Sequence, residues 1–358
     1  MKKTKSILVI FALLAANVVS AQTEKSQVID NGGSGPYKAE TVADASLTTH
    51  AVYRPADLQA AAKKEGKLPV ILYANGGCQN NSMEARVFLT ELASQGYIAI
   101  AIGPYDENDI FANWKGILTY LFPTAKSEVV LANGDVVKAP TAAETAAFMS
   151  RMEAEMKAAQ EAEQKSAKSK KSKKTSEPKV ESFQTYPRQM LEALDWLTDQ
   201  NANPQSEYYH LVDLDHVAAM GQSCGGAQTL AVAHDPRIKT CVILNSGIGD
   251  MDMQGVTTQQ LANLHSPMLY LIGGPTDIAY PNAAKDFERI DQVPVVMINT
   301  IEGHEGTYYE KNGGDYGKVV TKWLDWQLKG KIAQSGLFLN DDYLKMSYPE
   351  WTVQRKGF

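Results

Sequence analysis

Short apolar runs that alternate with helical patterns constrain the fold of this chain more than any other feature of its sequence. The unbroken apolar runs cover residues 68–73, 97–102, 217–220, 241–244, 268–272 and 295–298. Apolar side chains at helical spacing follow in residues 83–95, 183–199, 225–233 and 316–328. Strands that are apolar on both faces are typical of a mostly parallel sheet with helices on each side. The sequence therefore predicts an α/β fold with a mostly parallel central sheet.

The first 21 residues have the pattern of a secretory signal peptide. Lys2, Lys3 and Lys5 precede an apolar stretch from Ile7 to Ala16, and small residues stand before the expected cleavage point. This stretch is shorter than a membrane-spanning helix needs to be, and no cysteine follows for a lipid anchor. We expect an exported protein, periplasmic or extracellular, without a stable membrane anchor.

Charge and cysteine content narrow the function classes. The formal net charge of −6 counts against general binding of nucleic acid or anionic membrane. No pairing of His and Cys has metal-site spacing, so neither a metal nor another cofactor is expected. Three cysteines, Cys78, Cys224 and Cys241, favour one disulfide and one free thiol in an exported chain.

One domain is expected over residues 22–335, followed by a C-terminal tail, 336–358, for which no element is predicted. An insertion at about 106–182 interrupts the α/β pattern. Its residues 141–164 predict a helix, and 165–179 carry seven lysines among small polar residues, which predicts disorder. The insertion could be a lid or a partner-binding arm, or a solvated surface loop. The surface loop is favoured because loops tolerate insertions at small cost.

The segment Gly221-Gln222-Ser223-Cys224-Gly225 fits the pattern G-x-S-x-G. It follows an apolar strand and opens a helix, which is the setting of a nucleophile elbow. Small residues on both sides allow the sharp turn that exposes the serine hydroxyl at the carboxyl edge of the sheet. An ordinary strand-to-helix turn with a capping serine is the alternative, and the order of strand, turn and helix favours the elbow.

From about Val52 to Gln327 the chain resembles the α/β-hydrolase family, and more loosely its secreted esterase, dienelactone hydrolase and polyester hydrolase branches. The motifs that carry this resemblance are Tyr53-Arg54-Pro55, Asn75-Gly76-Gly77, Gly221 to Gly226, Gly273-Gly274-Pro275-Thr276-Asp277 and Gly303-His304. The resemblance implies a catalytic triad in the chain order Ser223, Asp277, His304, with the serine as nucleophile and the histidine as base.

Asp277 follows the strand 268–272 directly, where the family places its acid, and would orient the histidine. Asp250, after the preceding strand, is the rival, and loop position favours Asp277. Among the six histidines, only His304 stands just past a late strand and before the final helix.

The family's oxyanion hole would take backbone N–H groups from Cys224 and from Gly77 or Cys78. Many members carry His-Gly where this chain has Asn75-Gly76, which leaves the donor of this loop open. Cys78 and Cys224 would then flank the same oxyanion hole. We hypothesise a disulfide between them, with two buried free thiols as the alternative. Cys241, in mid-strand, is expected to be an inert core thiol.

Tyr105, Trp114 and Tyr308 are guesses for substrate contacts, because aromatic residues near the carboxyl edge can line a pocket. The predicted function is an exported serine hydrolase that cleaves carboxylic esters, small or polymeric, through an acyl-enzyme. Two alternatives remain: a serine peptidase or amidase, and a catalytically silent α/β-hydrolase that acts as a binding protein.

Overall fold

The computed structural model describes residues 26–30, 32–105, 185–253 and 255–358, together with short stretches between 128 and 147. The predicted signal peptide, the lysine-rich run 165–179, Trp114 and most of the helix predicted over 141–164 lie outside the described residues.

Ten strands form one sheet in the order β1-β2-β3-β5-β4-β8-β9-β10-β11-β12. In chain order the strands are β1 Ser26–Asp30, β2 Ala39–Ala43, β3 His50–Pro55, β4 Leu68–Ala74, β5 Ile98–Ile102, β6 Glu128–Val130, β7 Val136–Lys138, β8 Val212–Gln222, β9 Ile238–Leu244, β10 Met268–Ile272, β11 Val295–Asn299 and β12 Thr352–Lys356. Strands β6 and β7 form a separate antiparallel hairpin. The six central strands, β5 to β11 in sheet order, are parallel, and both edges are antiparallel.

Helices cover both faces of the sheet. They are α1 Leu58–Glu65, α2 Arg86–Ser94, α3 Arg188–Ala202, α4 Cys224–Val232, α5 Tyr280–Arg289, α6 Gly314–Gln327, α7 Gly336–Leu339 and α8 Asp341–Ser347. Alternate residues of each central strand point to opposite faces: Leu72 packs with α3 and α4 on one side, and Ile71 packs with α2 and α6 on the other. This two-sided burial explains why the central strands are continuous apolar runs.

The α/β fold predicted from the sequence is confirmed: a mostly parallel central sheet carries helices on both faces. Residues 336–358, for which no element was predicted, contain α7, α8 and β12, and β12 pairs antiparallel with β11. Within the described part of the chain, no helix combines the length and apolar character needed to cross a bilayer. Strands β4, β8, β9, β10 and β11 all end at one edge of the sheet, and this edge holds the candidate site.

Candidate active site

Ser223 lies in a strained turn between β8 and α4. Its backbone has φ 50° and ψ −119°, a conformation that residues other than glycine rarely adopt. A Cβ at Gly225 would collide with the carbonyl of Ala74, so the close passage of α4 over β4 requires glycine there. The Ser223 N–H donates to the Leu244 carbonyl at 3.0 Å, which ties the turn to the end of β9. This arrangement presents the serine hydroxyl beyond the carboxyl edge of the sheet.

His304 meets this hydroxyl. It lies in the loop that follows β11, it is buried, and its Nε2 is 3.0 Å from Ser223 Oγ. A nitrogen at that distance can accept the serine proton and return it to a leaving group.

Asp277 lies on the other side of the imidazole, in the loop after β10. Its Oδ1 is 2.6 Å from His304 Nδ1, and the carboxylate also accepts backbone N–H groups from Gly273 and Ala279 at 2.9 and 2.8 Å. Burial opposes ionisation of this carboxyl, but the hydrogen bond and charge of His304 and the two N–H donors outweigh it, so the pKa of Asp277 is lowered. An ionised carboxylate in this place can fix the histidine tautomer and stabilise an imidazolium.

The rival acid, Asp250, has a different environment. Its side chain is 60 % exposed and pairs with Lys285 and Arg289 at 2.5 Å each. Hydrogen bonds from these two cations lower the pKa of Asp250 to about 2. The structure therefore brings Asp277, and not Asp250, into contact with His304.

The loop after β4 approaches the nucleophile from the other side. Gly77 and Cys78 have positive φ, 59° and 50°, in the tight turn Gly76–Cys78. The Asn75 side-chain N–H₂ donates to the carbonyls of Ile102 and Gln79 at 2.6 and 3.0 Å, which fixes the entry to this turn. Asn75 therefore anchors the loop at the position where many family members carry histidine.

A disulfide joins Cys78 and Cys224, whose Cα atoms are 5.2 Å apart. The hypothesised pairing is confirmed, and the alternative of two free thiols is wrong. The bond ties the loop after β4 to the first residue of α4. Cys241 is a free, buried thiol in β9, and burial raises its pKa to about 12.

Thr185, where the chain re-enters the described fold, braces the same loop. Its N–H donates to the Cys78 carbonyl at 3.0 Å. Gln228 of α4 donates to the Thr185 carbonyl at 2.7 Å. The loop after β4 is thus held to α4 by the disulfide and by this buried polar contact.

A small cavity with room for about one water molecule lies beside the triad. Its lining residues are Tyr73, Asn75, Gly76, Ala85, Gln222, Glu305, Tyr308 and Tyr309. Of the guessed substrate contacts, Tyr308 lines this cavity but is buried, and its hydroxyl donates to Asn245. Tyr105 is half-buried and packs against the core that contains α2 and α6.

Sequence reasoning missed Asn245, Gln222 and Glu305. Asn245 is buried directly after β9, and its side chain reaches Asp277. The signal for Asn245 was its place at a strand end on the predicted edge, and Gln222 and Glu305 directly adjoin Ser223 and His304 in the chain. In the described ranges, no group of three or more His, Cys, Asp or Glu is placed to hold a metal ion.

Residues 174–327 match the model of a family described as PETase, PET hydrolase-like, within the polyester hydrolase branch of the α/β-hydrolases. The resemblance inferred from the sequence motifs is thereby confirmed. Among curated proteins, none matches the chain significantly. The family match indicates a serine ester hydrolase.

Proposed function

We propose that this α/β-hydrolase, similar over residues 174–327 to PET hydrolase-like proteins, cleaves carboxylic esters through an acyl-enzyme on Ser223. The continuous contact from Ser223 through His304 to Asp277, at 3.0 and 2.6 Å, is the observation that carries this proposal. It supplies a nucleophile, a base within reach of the proton, and an acid that orients the base.

In the proposed reaction, His304 takes the Ser223 proton as Oγ attacks the ester carbonyl. Backbone N–H groups of Cys224 and of Gly77 or Cys78 receive the oxyanion, because helix starts and tight turns leave such donors without a partner in their own element. His304 then protonates the leaving alcohol. Water, activated by the same nitrogen, attacks the acyl-enzyme and releases the acid.

We propose an ester outside the cell as the substrate. The classes compatible with an exported esterase are acylated polysaccharides, hydroxycinnamate esters, lipid-like esters and polyesters, and the family match favours polyesters. Export itself is supported by the leader pattern of residues 1–21 and by the disulfide, which oxidising compartments favour. N-terminal sequencing of secreted protein should find cleavage after Ala21.

A fluorophosphonate probe tests the proposal, because it reacts with an activated serine. We expect labelling of the native protein, none in Ser223→Ala, and strongly slowed labelling in His304→Ala. Ser266→Ala is the matched control, because Ser266 precedes β10 at the opposite edge of the sheet. It should label like the native protein.

Absence of labelling in the native, folded protein would support the silent binding protein instead. Turnover of nitrophenyl esters against peptide anilides then separates an esterase from a peptidase or amidase. Faster cleavage of the anilides would contradict the ester preference.

A further inference from the structure

The side chain of Asn245 occupies the space behind the proposed acid and between the three loops that carry the triad. The residue directly follows β9, is fully buried and has φ 45°, a left-handed conformation that asparagine tolerates better than most residues. Its backbone N–H donates to the Leu271 carbonyl at 2.9 Å, which fixes it against the end of β10. The backbone of Asn245 is therefore fixed by a contact independent of the triad.

The carboxamide of Asn245 bridges the acid loop and the base loop. Its Nδ2 donates to Asp277 Oδ2 at 2.9 Å and to the carbonyl of Gly303, the residue before His304, at 2.8 Å. Both partners are pure acceptors, so the chemistry fixes which end of the amide faces them. The carboxamide of Asn245 thus sets the separation of the loops that carry Asp277 and His304, whose side chains must be in contact.

Two tyrosines complete the network on the far side of the amide. Tyr308 donates its hydroxyl to Asn245 Oδ1 at 2.7 Å, and the Tyr316 hydroxyl lies 3.1 Å from Nδ2. Both phenols are buried in the core. They fix the rotation of the carboxamide, because its oxygen is occupied by a donor and cannot turn toward the carboxylate.

The neighbours of Asn245 hold the nucleophile. The Leu244 carbonyl accepts the Ser223 N–H at 3.0 Å, and the Ser246 hydroxyl donates to the Ser223 carbonyl at 2.6 Å. Residues 244–246 therefore contact the backbone of the nucleophile, the carboxylate of the acid and the loop of the base.

We infer that Asn245, oriented by Tyr308, is a positioning residue that holds Asp277 against His304 for the reaction proposed above. This inference rests on the proposed function. Asn245 and the Gly273 N–H hold Asp277 Oδ2, so that Oδ1, which also accepts the Ala279 N–H, faces the imidazole. Asn245 touches none of the reacting atoms and acts only through Asp277 and the His304 loop.

Asn245→Gly tests the inference, because glycine keeps the left-handed backbone and removes the side chain that carries the carboxamide. We expect kcat for a nitrophenyl ester to fall about 10- to 100-fold, by analogy with the hydrogen-bond partners that orient metal ligands, with KM changed less than about threefold. The rate of fluorophosphonate labelling should fall by the same factor as kcat.

A second background separates positioning from a general structural role. In Asp277→Ala, the same Asn245→Gly change should cost less than about threefold, because the group it positions is gone. An equal loss in both backgrounds, or no loss in the native background, would overturn the inference.

Tyr308→Phe keeps the test decisive if Asn245→Gly does not fold. It removes one hydroxyl, and we expect a loss of about two- to tenfold in kcat that disappears in the Asp277→Ala background. The matched control is Tyr97→Phe, which removes a buried hydroxyl that donates to Asp325 at 2.8 Å, beyond the opposite edge of the sheet. An equal loss in both tyrosine variants would contradict the inference. Failure of the native protein to label would instead sink the proposed function.

Discussion

Backbone strain gathers around the triad. Five non-glycine residues in the described part of the chain have positive φ, and three of them, Cys78, Ser223 and Asn245, lie at the carboxyl edge beside the site. Such conformations cost about 1–3 kcal/mol each and persist only where the surroundings enforce them. Here a disulfide, the Leu244 carbonyl and a buried hydrogen-bond network do so. The strained backbone therefore directs these side chains toward the site, whereas an unstrained turn would direct them elsewhere.

The two candidate acids give a paired prediction at this scale. Asp277→Asn keeps the shape of the acid but donates where the carboxylate accepts, so the histidine takes the wrong tautomer. We expect kcat to fall by about 10³–10⁴. Asp250→Asn should stay within about twofold of the native value, because its exposed carboxylate pairs with Lys285 and Arg289 rather than with His304. Ester hydrolysis at pH 8 measures both, and a large loss in Asp250→Asn would reverse the assignment.

Residue-level prediction from the sequence depends on local order along the chain. The prediction of Ser223 rests on the order of strand, glycines and helix around it. The predictions of His304 and Asp277 rest on their positions after late strands. Asn245 also follows a strand, but its significance depends on contacts with residues 32, 58, 63 and 71 positions away. No spacing rule within a single sequence encodes such contacts.

At the scale of elements, the apolar runs located the central strands to within a few residues, but not the edges of the sheet. Strand β8 begins at Val212, five residues before its apolar run, because Asp213 and Asp215 interrupt the pattern. Strand β12 is mostly exposed and has a single partner, so it lacks the apolar run that two-sided burial produces. The helix predicted over 83–95 begins as a 3₁₀ turn and becomes α-helical only at Arg86.

Helix α5 holds the loop after β9 through a buried carboxylate. Asp286 accepts the N–H groups of Ile248 and Gly249 at 2.7 and 2.8 Å. Burial raises the pKa of Asp286 to about 6, above the 3.8 of an unperturbed aspartate. A carboxyl with a raised pKa in the folded state contributes stability below pH 3.8 and loses it as pH rises through 6.

Asp286→Asn should remove this pH dependence. The free energy of unfolding of the native protein minus that of the variant should fall by about 2 kcal/mol between pH 4 and pH 7. Urea unfolding at both values measures it. Asp250→Asn is the control and should show no such change, because the pKa of Asp250, about 2, lies below this window. A constant difference for Asp286→Asn would contradict the prediction.

At the scale of the whole molecule, the Cys78–Cys224 bond connects parts of the chain 146 residues apart. It closes a loop of the chain that includes residues 106–182, so its removal increases the conformational entropy of the unfolded chain. Disulfides that close loops of this length stabilise proteins by about 2–5 kcal/mol. The same bond holds one side of the proposed oxyanion hole to the other.

Reduction should therefore lower stability and activity together. We expect a phosphine reductant to lower the unfolding free energy by about 2–5 kcal/mol and kcat by at least tenfold. The double variant Cys78→Ser, Cys224→Ser should match the reduced protein and show no further response to reductant. Calorimetry measures the change in stability, and ester hydrolysis with and without reductant measures the change in kcat. Full activity in the reduced protein would show that the reaction does not need the disulfide.

The C-terminal strand β12 forms one edge of the sheet, and its deletion should expose strand β11, which precedes it by about 50 residues in the chain. Strand β12 covers the backbone of β11, and the buried Trp351 before it stacks on Tyr348 and meets Tyr316 edge-on. Without it, β11 becomes an exposed apolar edge, the kind that pairs with other chains. Deleting residues 348–358 should lower Tm by several degrees and increase light scattering on warming relative to the full chain. Deleting only Gly357 and Phe358 leaves β12 intact and should not increase scattering; equal scattering in both would show that β12 does not protect this edge.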